Sequence, residues 1–393
     1  MDRIEELLTR GVTEIIVKDN LKKALKAKKK LRVKYGIDPS GAKVHLGHAV
    51  PIWKLRQFQN LGHTVILILG DFTAQIGDAS DKTAERQPMT LEQVKTNMQT
   101  YLEQIGKILD LKKTEVHHNS KWHEKATKQD LLSEAMNFTV NQMIRRDNFW
   151  TRFEANKPIG LHEILYPLLQ GYDSVAVRAD VEIGGNDQYF NLLAGRTLQK
   201  RYGQKEQNIM TLALLEGSDG RKMSKAYKNC INIEDSPNEM FGKAMAIDDK
   251  LIIQYMNLAT DVNIDRIKRI EKELKEGKNP RDAKAELAWN LVKRYCGQEK
   301  ADLARAIFVK TFVKKELPDE IPEAKVLDKN WPLVELMTFT NLVSSKSEAR
   351  RLIDQGGVKI DNAVIGDREA TIRPKDDMVV QVGKRKFIRI KLD

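Results

Sequence analysis

The sequence predicts an α/β fold: a doubly wound, mostly parallel sheet, followed by an α-helical domain and a small α+β domain. Three observations carry this expectation. From Leu31 to about Asn232, short apolar runs alternate with longer amphipathic ones, the pattern of strands joined by crossover helices. From Ser236 to about Leu317 the apolar positions, Leu287, Leu291 and Val292 among them, recur at helical spacing between many Lys, Arg and Glu. Pro318, Pro322 and Pro332 then punctuate a charged stretch of linker composition, and Leu333 to Asp393 has the length of a small domain of two helices and several strands.

Taken in order, Leu31 to Ile37 is strand-like, and a helix opens after it and runs to about Asn60. Val65 to Leu69 is an uninterrupted apolar run with the length of a buried strand. Leu91, Val94, Met98, Leu102, Ile105 and Leu109 mark a helical face, Ser174 to Ile183 returns to strand-like composition, and Gly184-Gly185 follows. In the tail Lys384-Arg385-Lys386-Phe387-Ile388-Arg389-Ile390-Lys391, basic and apolar residues interleave as in a strand with one buried face. No Gly-x-Gly-x-x-Gly follows a strand, which argues against a dinucleotide oxidoreductase.

Composition narrows the function classes. A chain of 393 residues, 41% hydrophobic and 31% charged, is too long for one small core and reads as a soluble globular protein. Its longest apolar run is too short to span a bilayer and its start lacks a secretory pattern, so no membrane association is expected and the cytosol is the expected compartment. Cys230 and Cys296 stand far apart without Cys-x-x-Cys spacing, so neither a disulfide framework nor a zinc site is indicated. His117-His118 with His123 lacks a carboxylate or cysteine at ligand spacing, and no protein-bound metal is expected. A net charge of +12 suggests a polyanionic partner. The run Lys22, Lys23, Lys26, Lys28, Lys29, Lys30 is compatible with a solvated helix face or with direct nucleic-acid contact.

The most informative residues are His45-Leu46-Gly47-His48, after Gly36-Ile37-Asp38-Pro39-Ser40, and Lys222-Met223-Ser224-Lys225 far downstream. A strand, a tight turn and a helix start aim free backbone N–H groups and a positive helix end at an anion. Two imidazoles can donate to phosphoryl oxygens, and the bare Gly47 lets a flat base approach the backbone. Lysines beside Glu216-Gly217-Ser218-Asp219-Gly220 can close over a nucleotide, with Gly217 and Gly220 as hinges. Tyr166, Gln170 and Asp173 stand at i, i+4 and i+7, so one helix face presents three polar groups to a small ligand.

These segments resemble the class I aminoacyl-tRNA synthetases, and within them the tyrosyl branch. The resemblance extends through Ile76-Gly77-Asp78 with Lys82 and Arg86, Tyr166 to Asp173, Gly184-Gly185-Asn186-Asp187-Gln188, and Val343 to Ile353, which is similar to an S4 RNA-binding domain. It implies a Rossmann-like catalytic domain with a helical insertion over 1–232, a helical anticodon-region domain over 233–317, a linker over 318–332 and an S4-like domain over 333–393. It further implies ATP with Mg2+, L-tyrosine and tRNA(Tyr) as ligands, and a homodimer joined near Leu131 to Phe153. By the same resemblance, His45, His48, Lys82, Arg86, Lys222 and Lys225 are catalytic. Tyr35, Asp78, Tyr166, Gln170, Asp173 and Gln188 hold tyrosine, with Asp173 on the phenol. Gly36, Asp38, Ser40, His45, Gly47, His48, Gly185, Asp187, Met223 and Lys225 hold ATP, and Lys346, Arg350, Arg351, Lys384, Arg385 and Lys386 contact RNA. One residue departs from the pattern: Lys34 occupies the place where many members carry a tyrosine that touches the phenol. Tryptophanyl-tRNA synthetase shares the nucleotide motifs, and a non-catalytic RNA-binding derivative is a further alternative; Asp173 and the S4-like tail favour tyrosine.

Overall fold

The computed structural model describes residues 2–39, 41–78, 89–221, 223, 227–313, 321–383 and 386–393. They form two units, Met1–Ala304 and Arg305–Asp393. The first is built on six strands: β1 (Val12–Ile16), β2 (Arg32–Ile37), β3 (Thr64–Leu69), β4 (Thr114–His118), β5 (Val181–Gly185) and β6 (Asn208–Leu212). Their order across the sheet is β1-β6-β5-β2-β3-β4, with every pair parallel except the edge pair β1–β6. Val65 to Leu69 are each at most 1% exposed, which is why this stretch reads as an unbroken apolar run.

From β2 the chain steps outward through β3 to β4, then returns to β5 on the other side of β2. The strand order reverses there, so a crevice opens beyond the carboxyl ends of β2 and β5, the usual ligand position in such sheets. Three helices frame this part of the sheet: Leu46–Asn60, Leu161–Val177 and Tyr189–Arg201. The last two pack closely because Gly171 has no side chain; a Cβ there would lie 3.0 Å from the Ala194 carbonyl carbon. Helices Lys128–Ala135, Val140–Ile144 and Asp147–Glu154 form the insertion. Its base is anchored by Arg152, whose guanidinium donates to both Glu163 oxygens at 3.0 and 2.7 Å with both side chains fully buried. Glu163 also accepts from the Gly160 backbone N–H and so caps the pocket helix.

Two local expectations differ from the structure. The strand-like stretch Ser174 to Ile183 is helical through Val177, turns at Arg178 in the left-handed region (φ 50°), and becomes a strand only at Val181. On the helix Ser174 donates to the buried Glu182 and Val177 packs against Ile66 and Ile68 of β3, and this packing overrides their weak helix propensity. The face from Leu91 to Leu109 is broken into helices Leu91–Met98 and Tyr101–Gly106. The charged helical segment that follows, including Pro237–Met245 and Pro280–Cys296, belongs to the same unit as the sheet, with Leu287, Leu291 and Val292 fully buried.

The second unit holds β7 (Glu323–Val326), β8 (Trp331–Pro332), β9 (Val358–Ile360), β10 (Ala363–Val364), β11 (Thr371–Ile372), β12 (Val379–Val382) and β13 (Lys386–Leu392). Five of them form a sheet of order β10-β9-β12-β13-β7, and β8 pairs with β11. Helices Leu333–Phe339 and Lys346–Asp354 contribute Leu336, Met337 and Ile353 to a core shared with Val358, Val380 and Ile390. In β13 the expected alternation holds, with Ile388 and Ile390 buried. The linker expected over 318–332 is corrected in its described part: β7 pairs in parallel with β13, and Trp331 is buried against the core. The apolar Ile321, Val326 and Trp331 decide this, being buried despite their proline-rich, charged surroundings.

Candidate active site

The crevice is built from strand ends. Beyond β2, Asp38 accepts hydrogen bonds from Thr73 Oγ1 at 2.8 Å and from the Tyr166 hydroxyl at 2.9 Å. Gly70 makes room for it, since a Cβ there would fall on the Asp38 carboxylate. Burial and the charge of Asp38 push the Tyr166 phenol well above its ordinary pKa, so it stays neutral. With its proton committed to Asp38, the Tyr166 oxygen offers lone pairs to a cationic ligand.

Further along the same helix, Gln170 is fixed at both ends of its amide, accepting from Asn191 Nδ2 at 3.0 Å and donating to Glu182 Oε1 at 3.3 Å. Asn191 also donates to Gln188 Oε1 at 2.9 Å, and Gln188 donates to Asp78 Oδ2 at 2.6 Å. Asp78, Gln188 and Gln170 therefore form one connected polar wall. Arg146 lies over the Phe149 and Phe190 rings at 4.8 and 5.1 Å; burial lowers its pKa and the charge of Asp78 opposes that.

The third helix position, Asp173, is 4% exposed and held by residues from the segment after β4. Its Oδ1 accepts from Trp122 Nε1 at 2.8 Å and faces His123 Nε2 at 2.9 Å, so that histidine nitrogen carries the proton. Oδ2 receives Asn119 Nδ2 at only 3.4 Å, while Asn119 makes its shorter bond, 2.9 Å, to Thr73 Oγ1. The carboxylate is thus oriented through one oxygen and retains accepting capacity on the other. Asn119, Trp122, His123, Thr73, Asn191 and Glu182 were not among the residues expected from sequence. The only signal for any of them was His123, as part of a histidine cluster; it serves Asp173, and among the described residues no group of three His, Cys, Asp or Glu side chains gathers as a metal site.

On the nucleotide side, His45 caps the helix Leu46–Asn60 in extended conformation, and its ring stacks on His48 with centroids 3.7 Å apart. The chain shortly after the downstream motif returns to the same place. Leu46 N–H donates to the Ile231 carbonyl at 2.9 Å, Ile233 N–H to Val44 at 3.1 Å, and His45 bridges to Asn232. Met223 is 6% exposed, and a Cβ on Gly47 would lie 3.3 Å from its sulfur. Asp187 begins the next helix beside Gly185, where a Cβ would lie 2.5 Å from the Asp187 Oδ1. Burial, and secondarily the charge of Asp78, push the Asp187 carboxyl up to about 6.

Strand alternation separates Lys34 from Tyr35. Lys34 faces the pocket helix, whereas the buried Tyr35 phenol feels Tyr101, Asp187 and Asp38, and burial raises its pKa. Tyr35, expected in the tyrosine pocket, thus lies on the face of β2 opposite Lys34, with Asp38 and Asp187 near its phenol. Ser40, Lys82, Arg86, Lys222, Lys225, Lys384 and Arg385 lie outside the described residues. In the second unit Lys346, Arg350 and Arg351 are exposed on the helix Lys346–Asp354, and Lys386 donates to the Leu342 carbonyl. Lys346 pairs with Glu335 at 2.8 Å.

Comparison with known proteins accords with this geometry. Residues 26–313 match the family described as tRNA synthetases class I (W and Y), and residues 313–390 match the Tyrosine--tRNA ligase SYY-like C-terminal domain. The Tyrosine--tRNA ligase of Thermotoga maritima is 49% identical over 388 residues, covering 98% of this chain and 96% of that protein. The chain belongs to the tyrosine–tRNA ligase family. Another member, from Carboxydothermus hydrogenoformans, is 48% identical over 98% of this chain and 97% of its own. The fold of this class I aminoacyl-tRNA synthetase is shared with the C-terminally truncated mitochondrial tyrosyl-tRNA synthetase of Aspergillus nidulans. That structure has a TM-score of 0.65 at 23% identity, over 79% of this chain and 94% of the other. Among the described residues no helix is long and apolar enough to cross a membrane.

Proposed function

We propose that this chain activates L-tyrosine with ATP, giving tyrosyl-adenylate and pyrophosphate, and then transfers tyrosine to the terminal ribose of tRNA(Tyr). The observation that carries this reading is the packing of Met223 against Gly47 beside the stacked His45 and His48, next to the polar helix face of Tyr166, Gln170 and Asp173. The substrate carboxylate is already a nucleophile, so the protein's task is in-line positioning and stabilising charge on the phosphates. His45, His48 and the lysines Lys222 and Lys225, with Lys82 and Arg86, supply donors to those oxygens. Asp78, Gln170 and the Tyr166 oxygen accept from the α-ammonium, Gln188 lies near the reacting carboxyl, and Asp173 Oδ2 accepts the phenol proton. Asp187 accepts from the ribose, and Mg2+ would travel with ATP on its phosphates and water.

Lys346, Arg350, Arg351, Lys384, Arg385 and Lys386 are assigned to tRNA phosphates. The insertion exposes Leu132, Met136, Val140 and Phe153, which supports a homodimer through this region. The cytosol is the proposed compartment. ATP–pyrophosphate exchange tests the reading directly. L-tyrosine should drive exchange and L-tryptophan should not; exchange driven by tryptophan, or by neither, refutes it.

A further inference from the structure

Lys34 and Glu182 are lateral partners on the parallel strands β2 and β5, so their side chains rise from the same face of the sheet. They are 0% and 1% exposed and form an ion pair of 2.9 Å. The Lys34 ammonium is engaged inside the protein, paired with Glu182 Oε1 and donating to the Gln170 carbonyl at 2.9 Å and to Ser174 Oγ at 2.8 Å. Glu182 is equally occupied. Its Oε1 also accepts from Gln170 Nε2, and its Oε2 accepts from Ser174 Oγ at 2.9 Å and Gln207 Nε2 at 2.5 Å. Gly195 leaves the space for this cluster, because a Cβ there would lie 2.5 Å from Gln207 Nε2 and 2.9 Å from Ser174 Oγ. The charge of Lys34 is thus balanced inside the protein by Glu182.

We propose that the Lys34–Glu182 pair is the positioning element that fixes the amide orientation of Gln170, and through it recognition of the substrate's α-ammonium group. A carboxylate accepts and cannot donate, so Glu182 Oε1 compels the NH2 end of Gln170 to face it. Asn191 then meets the oxygen end, which is left turned toward the wall formed with Asp78. An anion can occupy this dry position only with its charge balanced, and Lys34 balances it. Strand register places the two together. The position where related enzymes carry a phenol-contacting tyrosine has thus been given over to the amine end of the ligand. This inference rests on the assignment of Gln170 to the α-ammonium.

The test compares the wild-type chain with Lys34→Met/Glu182→Gln, which removes both charges and lets the new amide pair with Gln170 in either orientation. Binding of L-tyrosine, L-phenylalanine and 3-(4-hydroxyphenyl)propionate, which lacks the amine, is measured by calorimetry. The expected result is a loss of about ten-fold in tyrosine affinity, with the preference for tyrosine over the deaminated acid collapsing and the preference over phenylalanine kept. KM for ATP should be unchanged, a split that a purely structural role would not produce. Glu182→Gln alone keeps the size and shape of the side chain and should shift the same ratio in the same direction, which guards against a double variant that fails to fold. The proposal is overturned if both ratios stay at their wild-type values, or if the loss falls on the phenylalanine ratio. Failure of the wild type in tyrosine-dependent exchange would instead remove the reading of the site on which the proposal rests.

Discussion

Among the described residues, fully buried ion pairs occur in the first unit, whereas those of the second lie at the surface. In the first, Lys34–Glu182 and Arg152–Glu163 are sealed from water, and each member makes several hydrogen bonds. In the second, Lys346–Glu335, Arg368–Asp354, Arg373–Asp328 and Lys391–Asp377 are open to solvent. Buried pairs cannot exchange partners without leaving an uncompensated charge, so they hold one geometry, which a pocket for a small ligand requires. Exposed pairs contribute little to stability and give up a carboxylate for a phosphate readily, which suits a surface that follows a polyanion.

The largest effect should come from breaking a buried pair. Arg152→Ala leaves Glu163 without its bidentate partner and should cost about 3–5 kcal/mol of unfolding free energy in urea titration. A loss below about 1 kcal/mol would mean that the insertion is not anchored there. Next is Asp173→Ala, which removes the carboxylate that Trp122 and His123 orient. Its kcat/KM for tyrosine in the exchange assay should fall by about a hundred-fold or more, with KM for ATP held within a few-fold. An unchanged tyrosine parameter would take Asp173 out of the pocket.

The exposed side of the comparison responds to salt. Raising the salt from about 50 to 200 mM should weaken tRNA charging by about ten-fold or more while leaving tyrosine-dependent exchange within about two-fold. Arg350→Ala/Arg351→Ala should flatten the charging response, and equal salt slopes for both reactions would erase the distinction between the units. The smallest effect concerns Asp187, whose carboxyl is pushed up to about 6 by burial and by Asp78. On the proposed ribose contact of its ionised form, KM for ATP should rise a few-fold as pH falls from about 7.5 to about 5.5, a dependence that Asp187→Asn abolishes. The same group acts on the fold with the opposite sign. A carboxyl raised above its ordinary value near 3.8 binds its proton more tightly when folded, so its contribution to stability declines as pH climbs from about 4 to about 6.

Much of the site was legible in local sequence because its chemistry is carried by consecutive residues. His45, Gly47 and His48 follow a strand and a turn, and Tyr166, Gln170 and Asp173 share a helix face by periodicity alone. What escaped was whatever depended on strand pairing. Asn119, Trp122 and His123 reach Asp173 across about fifty positions of chain because β4 lies beside β3, and in their own segment only the histidine cluster singles out His123, without pointing to Asp173. The run Ser174 to Ile183 departs from its composition for a related reason: its β-branched residues favour a strand, while the buried contacts of Ser174 continue the helix.

The sequence by itself determined the alternation of strands and helices, the family and the two nucleotide motifs, since short-range periodicity and adjacent residues encode them. Only the tertiary structure decided that Met223 returns to Gly47, that β7 joins the C-terminal sheet, and that Lys34 spends its charge on Glu182 and not on a ligand. The reason is physical. A side chain's type limits what it can bond, but which partner it meets is set by the register of strands distant in the chain, and the burial that makes such a meeting exclusive exists only once the sheet has formed.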